Sequence, residues 1–261
     1  MFNTNNIGKL VAVIIPSEKN KSKYKNITIS LDEDYDEKDE LTKNSFPKLH
    51  ITDGEFMFAF DPKQDKRFSW YIAGANNSGK SYHLAKFLKK VFYKFFPKDY
   101  PIYLFTEKKE EEAFEGLQMK KIAIDESLVD EPFDYNSFEN SLVIMDDVDA
   151  ICGKIGKAVV ELRNKLLKNA RSIRTSVIIT NHNLCDGNYT KSLLNECETI
   201  SFFLKTYNKS TKYFVENYIG VSKEGVKKLR YNKSRCTTYC KTYPNIIIQE
   251  HDIYTMNELN E

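Results

Sequence analysis

The sequence is poor in the features that mark secreted and membrane proteins. It has only five cysteines, an odd number, and no charged-then-apolar segment at its N-terminus. Its longest apolar runs, at residues 10–15 and 142–145, are far shorter than the ~20 residues that a transmembrane helix needs. We therefore expect a soluble protein of a reducing compartment, with no disulfide bonds and no membrane contact.

A cysteine-based metal site is not favoured either. Cys236 and Cys240 form a C-x-x-x-C pair, but no second pair of cysteines or histidines follows at zinc-finger spacing. Small buried thiols are the simpler interpretation. The sequence also lacks internal repeats and low-complexity tracts, and 261 residues are enough for one large α/β domain with a substantial core.

An excess of charge of one sign is also missing, since the net charge is only +2. The distribution is more informative. Residues 32–40 hold seven acids against Lys38, whereas residues 205–241 hold ten bases against two glutamates. The acidic run is typical of a solvated loop, and a regulatory tail is the alternative. The basic stretch suggests that one face approaches a polyanion.

One stretch has a recognisable chemical pattern. Gly74, Gly79, Lys80 and Ser81 complete the phosphate-loop motif G-x-x-x-x-G-K-[ST], between a predicted strand ending at Ile72 and a predicted helix. Small residues let backbone N–H groups surround phosphate oxygens, Lys80 adds a charge for the β- and γ-phosphates, and the Ser81 hydroxyl can bind Mg²⁺. We expect ATP contacts from Gly74, Ala75, Asn76, Asn77, Ser78, Gly79, Lys80, Ser81 and Tyr82.

Two acids follow a later apolar run. Residues 141–145 predict a buried parallel strand, and such a strand delivers Asp146 and Asp147 to the edge where α/β proteins bind ligands. Asp146 would hold the Mg²⁺ and Asp147 would orient and activate the attacking water. The alternative is that both acids cap the next segment. The third acid, Asp149, is predicted to be an N-cap or a surface residue.

Another predicted strand, residues 176–180, ends in polar residues. Asn181 and His182 would lie beside the strand that bears Asp146, where either could sense the γ-phosphate; a structural histidine is the alternative. The lysines of the helix after the phosphate loop have two interpretations, solvation or DNA contact. They are Lys86, Lys89, Lys90 and Lys94.

The remaining pattern predicts an α/β fold. Apolar and β-branched runs predict further strands at 9–15, 26–31, 101–105, 199–204, 237–243 and 245–249. Apolar residues every three or four positions predict helices at 81–95, 155–166, 212–218 and 222–230. Asp53-Gly54 predicts a hairpin turn within 46–60. We divide the chain into a small β-rich extension, 1–65, and a P-loop ATPase domain, 66–261, which includes a basic segment at 205–250.

With these pieces in place, the chain resembles the genome-packaging ATPases of poxviruses, giant viruses and virophages, in the FtsK–HerA clan of P-loop motors. The resemblance runs from about Ser69 to Tyr254 and leaves the first 65 residues outside. The segments that carry it are 74–81, 140–147, 171–182, 193–197, 218–220 and 234–244.

The resemblance implies a RecA-like, mostly parallel sheet flanked by helices. It also implies that Lys80 and Ser81 bind triphosphate and metal, that Asp146 completes the Mg²⁺ site, and that Asp147 is the catalytic carboxylate. His182 or Asn181 would be the sensor. Arg171 would be a finger that reaches a neighbour's nucleotide, and Arg174 is close enough to share or take that role.

Our functional hypothesis is an ATP-driven double-stranded DNA translocase that packages a viral genome into a preformed capsid. It would act as a ring of five or six subunits on DNA of any sequence, with a capsid vertex component as a possible partner, in the host cytoplasm or the virion. The alternatives are another P-loop ATPase or helicase, a small-molecule kinase that would work as a monomer without DNA, and a nucleotide-gated binding module that would not hydrolyse ATP.

Overall fold

The computed structural model describes residues 1–20, 27–32, 46–63, 67–108 and 111–261. A small antiparallel sheet of four strands, in the order β1-β3-β2-β5, contains most of the N-terminal part. Its strands are β1 (Phe2–Asn3), β2 (Lys9–Ile15), β3 (Thr28–Leu31) and β5 (Glu55–Phe58). Residues 33–40 of the predicted acidic run lie outside the described residues.

A second sheet has ten strands and positions the candidate site. They are β4 (Lys48–His50), β6 (Ser69–Ala73), β7 (Ile102–Phe105), β8 (Lys120–Ile122), β9 (Leu142–Met145), β10 (Ser176–Asn181), β11 (Thr199–Phe202), β12 (Thr237–Cys240), β13 (Ile246–Gln249) and β14 (Asp252–Thr255). The order is β4-β14-β13-β12-β11-β6-β10-β9-β7-β8. From β11 to β8 all neighbours are parallel, and from β11 to β4 all are antiparallel.

Helices connect these strands and cover both faces of the large sheet. They are α1 (Lys80–Phe87), α2 (Tyr93–Phe95), α3 (Ser127–Asp130), α4 (Gly153–Asn169), α5 (Gly187–Glu196), α6 (Lys209–Lys212), α7 (Lys223–Tyr231) and α8 (Met256–Asn260). A π-helical segment, Leu88–Phe92, joins α1 to α2, and another, Tyr213–Tyr218, follows α6. Among the described residues, no helix has the length and apolar content that spanning a bilayer requires.

Strand β6 shows how the two faces are filled. All five of its residues are buried, as expected for a central parallel strand. Trp70 and Ile72 join a core that contains Phe87 of α1 and Phe58 of the small sheet. Tyr71 belongs to a second core, on the other face, with residues of α4 and α5 such as Leu166 and Leu193. The predicted α/β fold with a mostly parallel sheet and a β-rich N-terminal extension is confirmed.

The hairpin predicted within residues 46–60 is wrong. Gly54 does form a turn, with φ of +77° and with Ile15 O only 2.6 Å from where a Cβ would lie. However, the two strands that flank it belong to different sheets: β4 pairs with β14, and β5 pairs with β2. Long-range pairing has overridden the local turn signal. The boundary proposed at residue 65 stays a prediction.

Candidate functional site: the phosphate loop and the facing carboxylates

The phosphate loop connects β6 to α1. Two of its positions require glycine, each for a different steric reason. A Cβ on Gly74 would lie 2.6 Å from the Phe203 ring and from Ser78 Oγ, so the loop can fold this tightly only without a side chain there. Gly79 has φ of +104°, which other residues rarely adopt. The Gly74 amide also donates to Asn181 O at 3.0 Å, which ties the loop to the end of β10.

Lys80 opens α1 and points back across the loop. Its side chain is only 5% exposed, and Nζ donates to Gly74 O at 2.9 Å. The same Nζ lies 3.3 Å from Asp147 Oδ1. The lysine of the motif and the strand-end carboxylate are therefore brought together, as a shared triphosphate and metal site requires.

The carboxylate pair lies where β9 ends. The Asp146 amide still pairs with Phe105 O of β7, and the side chain is buried. Asp147 then turns away with φ of +50°. In the parallel register Met145 faces Ile179, so the next residue of β10, Thr180, lies beside the pair. Thr180 Oγ1 donates to Asp146 Oδ1 at 2.8 Å and accepts from the Asp147 amide at 2.9 Å.

A second lysine faces both carboxylates. Lys108, in the loop after β7, places Nζ 3.0 Å from Asp146 Oδ2 and 3.1 Å from Asp147 Oδ2, and also pairs with Glu111 at 2.9 Å. Partial burial opposes the charge of the Lys108 ammonium, but Glu111 and the aspartates outweigh that cost and raise its pKa.

The environments of the two aspartates push their pKa values in opposite directions. Burial, and then repulsion by Asp147, raise the pKa of Asp146. Burial would also raise the pKa of Asp147, but the charges of Lys80 and Lys108, with the nearby His182 ring, outweigh it and lower that pKa. Asp147 is therefore ionised at neutral pH and can accept a hydrogen bond from a water molecule.

His182 is held in place by Asp149. The Asp149 carboxylate accepts from the His182 amide at 2.8 Å and lies 3.1 Å from ring Nδ1. The other ring nitrogen, Nε2, is then 3.9 Å from Asp147 Oδ2. The prediction that Asp149 is an N-cap or surface residue is wrong: its side chain is 12% exposed and it orients the histidine.

The phosphate loop, the carboxylate pair, Lys108 and His182 line one cavity of about 1030 Å³. The loop residues from Asn76 to Tyr82 border it together with Asp146, Asp147 and His182. Of the other predicted contacts, Gly74 and Ala75 do not border this cavity, and buried Asn181 points its Nδ2 towards the Tyr71 hydroxyl at 3.4 Å. The site thus assembles most of the residues predicted from the motifs.

The two arginines lie elsewhere. Arg171 and Arg174 are exposed in the turn between α4 and β10, at the start of that strand. The site lies at its end, seven residues after Arg174, which at ~3.3 Å per residue is a distance of about 20 Å. Within the described part of the chain, neither guanidinium has a carboxylate partner. Neither arginine reaches the phosphate loop of its own chain.

The donor atoms in the cavity suit a hard divalent cation. Mg²⁺ prefers carboxylate and hydroxyl oxygens, and Asp146 and Ser81 supply both beside the loop. The carboxylate pair already faces a cation, the Lys108 ammonium. Asp147, Asp149 and His182 also offer ligand atoms within 4.8 Å of one another. Asp149 and its cluster partner His182 are engaged with each other, whereas Ser81 and Asp146 both border the cavity next to the phosphate loop. The residues present therefore fit a metal at Asp146 and Ser81.

Sequence reasoning missed Thr180 and Lys108. Thr180 directly precedes the predicted sensor residues, so strand register could have placed it beside Asp146. Lys108 follows a predicted strand by three residues, and the carboxyl ends of parallel strands meet at one edge. This rule places the Lys108 backbone near the site, but the sequence does not indicate that the side chain turns towards the aspartates, because a loop lysine is ordinarily solvated.

Three comparisons bear on the chain's relatives. No protein-family model matches it. The chain is 32% identical to protein V3 of Sputnik virophage over 213 residues. The match covers 80% of this chain and 84% of protein V3.

Among solved structures, the fold is similar to the cytoplasmic domain of the type VII secretion ATPase EccC of Thermomonospora curvata, with a TM-score of 0.51 and 11% identity over 78% of this chain and 28% of that one. The DNA-packaging ATPase B204 of Sulfolobus turreted icosahedral virus matches with a TM-score of 0.49 and 14% identity, over 72% of this chain and 97% of that one. The P-loop ATPase fold is confirmed. The resemblance to the viral packaging-ATPase type that the motifs predicted is confirmed too, and the chain belongs to the same family as protein V3 of Sputnik virophage.

Proposed function

We propose that the protein is an ATPase that drives double-stranded DNA into a preformed viral capsid. The observation that carries the proposal is the meeting of Lys80 with the strand-end carboxylates, Nζ to Asp147 Oδ1 at 3.3 Å, in a cavity bordered by the phosphate loop. A loop that grips phosphates, beside two carboxylates with opposite pKa shifts, is an arrangement suited to triphosphate hydrolysis.

Each residue has a role that follows from its contacts. The loop amides and Lys80 bind the β- and γ-phosphates. Asp147 accepts a hydrogen bond from the attacking water and aligns it with the γ-phosphorus. His182, oriented by Asp149, lies close enough to contact that water or the γ-phosphate. Ser81 and Asp146 would hold Mg²⁺, which when bound neutralises charge on the phosphate oxygens.

The positions of the arginines support hydrolysis at a subunit interface. Arg171 and Arg174 lie at the opposite edge of the sheet from their own phosphate loop. In a head-to-tail ring of five or six copies, that edge of one subunit can face the nucleotide of the next. An arginine supplied in this way stabilises the charge of the transition state, so an isolated subunit hydrolyses ATP slowly and assembly activates it.

The exposed bases support a nucleic-acid partner. Of the ten bases in residues 205–241, all but Lys241 are exposed. In α1 and its continuation, Lys86 pairs with Glu55 and Lys89 donates to Ala113 O. We assign contact with the DNA phosphates to the exposed lysines of residues 209–228, with an affinity that is indifferent to base sequence and falls steeply with salt.

The wider setting follows from the viral relative. We propose that the motor works in the host cytoplasm or associated with the virion, docked on a capsid vertex component.

The test is the ATPase rate per subunit, measured against protein concentration with and without duplex DNA. We expect the rate to rise steeply as subunits assemble and to rise further with DNA. A rate that is constant with concentration and unaffected by DNA would instead fit a monomeric kinase, and would refute the ring motor. ATP binding without hydrolysis under all conditions would fit a nucleotide-gated binding module.

A further inference from the structure

We infer that the base of the bound nucleotide stacks on the exposed ring of Tyr82 and is covered by the guanidinium of Arg235. The inference rests on the proposed binding of ATP and adds the part of the site that recognises the nucleoside. Its ligand class is a nucleoside triphosphate, bound through the π face of its base as well as through its phosphates.

The direction in which the nucleoside leaves the loop follows from the carboxylates. The γ-phosphate end of the ligand is fixed by Lys80, Asp146 and Asp147, on the β9 side of the loop. The α-phosphate and the sugar must extend away from them. Tyr82, two residues after Lys80, borders both the phosphate cavity and a second cavity of about 510 Å³. That volume is within the range that accommodates a small ligand.

Tyr82 and Arg235 already contact each other at this junction. The Tyr82 side chain is an exposed aromatic, with 57% of its surface accessible. The Arg235 guanidinium lies 5.9 Å from the centre of the Tyr82 ring, in the range of a cation–π contact. Because both side chains are exposed, Arg235 can move by one rotamer and accept a base beside the ring. Bases stack readily on tyrosine and on arginine planes.

Arg235 is also tied to the phosphate loop. A Cβ built on Gly79 would lie 3.5 Å from Arg235 Cδ, so the arginine stem runs directly past the glycine that precedes Lys80. Within the described residues no carboxylate pairs with Arg235, and its charge is therefore available to a ligand. The second cavity adds Lys205 and Lys233, two further cations for the α-phosphate side of a nucleotide.

The test compares ATP with tripolyphosphate, which has the phosphates but no base. Dissociation constants of both ligands are measured by calorimetry with Mg²⁺ for the full chain and its variants. We expect Tyr82→Ala to weaken ATP binding about 10-fold and Arg235→Ala about fivefold. Tripolyphosphate binding should change by less than twofold in Tyr82→Ala, and Tyr82→Phe, which keeps the ring, should recover most of the ATP affinity.

Arg230→Ala is the matched control. It removes another exposed arginine, which lies over a different tyrosine, Tyr207, at 5.0 Å and outside both cavities. Its ATP affinity should equal that of the unaltered chain. If the two alanine variants weaken both ligands equally, or weaken neither, the base site is refuted. If Arg235→Ala reduces only duplex DNA binding, the residue belongs to the DNA surface. If the unaltered chain binds neither ligand, the proposed ATPase function itself fails.

Discussion

We expect the hydroxyl of Thr180 to contribute strongly to the stability of the folded protein. It donates to Asp146 and accepts from the amide of Asp147 where two central strands end; Thr180 and Asp146 are buried, and Asp147 is half-buried. Thr180→Val keeps the β-branched shape that the strand favours but removes both hydrogen bonds. The change leaves the Asp147 amide without its partner at a residue whose φ is +50°.

The magnitude follows from these two bonds. A buried amide left without a partner costs about 1–3 kcal/mol, and a hydrogen bond to a carboxylate contributes about 1.5–3 kcal/mol. Since Lys108 still neutralises Asp146 in part, we expect Thr180→Val to lower the free energy of unfolding by about 3 kcal/mol. With a urea m-value of roughly 2–3 kcal/mol/M, the midpoint of unfolding would fall by about 1 M.

Thr180→Ser separates the hydroxyl from the methyl group. It keeps both hydrogen bonds and loses only one buried methyl, so it should cost about 1 kcal/mol. Urea unfolding followed by circular dichroism measures both free energies of unfolding. They can be compared directly if the m-value is the same in each variant. The reasoning is refuted if Thr180→Val is as stable as the unaltered chain, or if Thr180→Ser is destabilised as much as Thr180→Val.

Three further predictions concern catalysis and pH. Asp147→Asn should bind ATP but hydrolyse it at least about 100-fold more slowly, as filter binding and phosphate release will measure; normal turnover would remove Asp147 from the catalytic residues. Arg171→Ala should lose about 1000-fold in rate, and mixing it with Lys80→Ala subunits should restore activity if the arginine acts across an interface; without rescue, Arg174 becomes the candidate. Burial lowers the pKa of His83 to about 4, below its usual 6.5. As the pH falls from 6.5 to 4, the unfolded chain takes up a proton on His83 that the folded chain does not, so the free energy of unfolding should fall by about 3 kcal/mol. His83→Phe lacks this group and should lose correspondingly less stability, as urea unfolding at the two pH values will measure.

Short-range patterns predicted much of the fold and the site. The runs of apolar and β-branched residues in β2, β7, β9 and β10 are buried strands, and the three-and-four spacing after Ser81 and around Leu162 does form helices. The phosphate-loop motif placed Lys80, and the rule that parallel strands deliver side chains to one edge placed Asp146 and His182 beside it.

Other features depend on partners distant in sequence. The Asp53-Gly54 turn looks like a hairpin locally, yet β4 and β5 pair with strands whose position only the whole chain determines. Strand β14 was missed because four residues with two polar positions carry too little pattern. The register of β7, β9 and β10 is what places Lys108 and Thr180 beside the two aspartates, and the sequence pattern does not give that register.

One edge strand of the large sheet, β4, comes from the N-terminal part of the sequence and pairs with a strand close to the C-terminus. Lys48–His50 pairs with Asp252–Thr255, and Lys48 also reaches Glu258 at 3.0 Å. A version trimmed to the stretch that resembles viral motors would leave one backbone row of that C-terminal strand unpaired. Unprotected edges of this kind pair with extended segments of other molecules, so the shortened chain would aggregate more readily than the full chain.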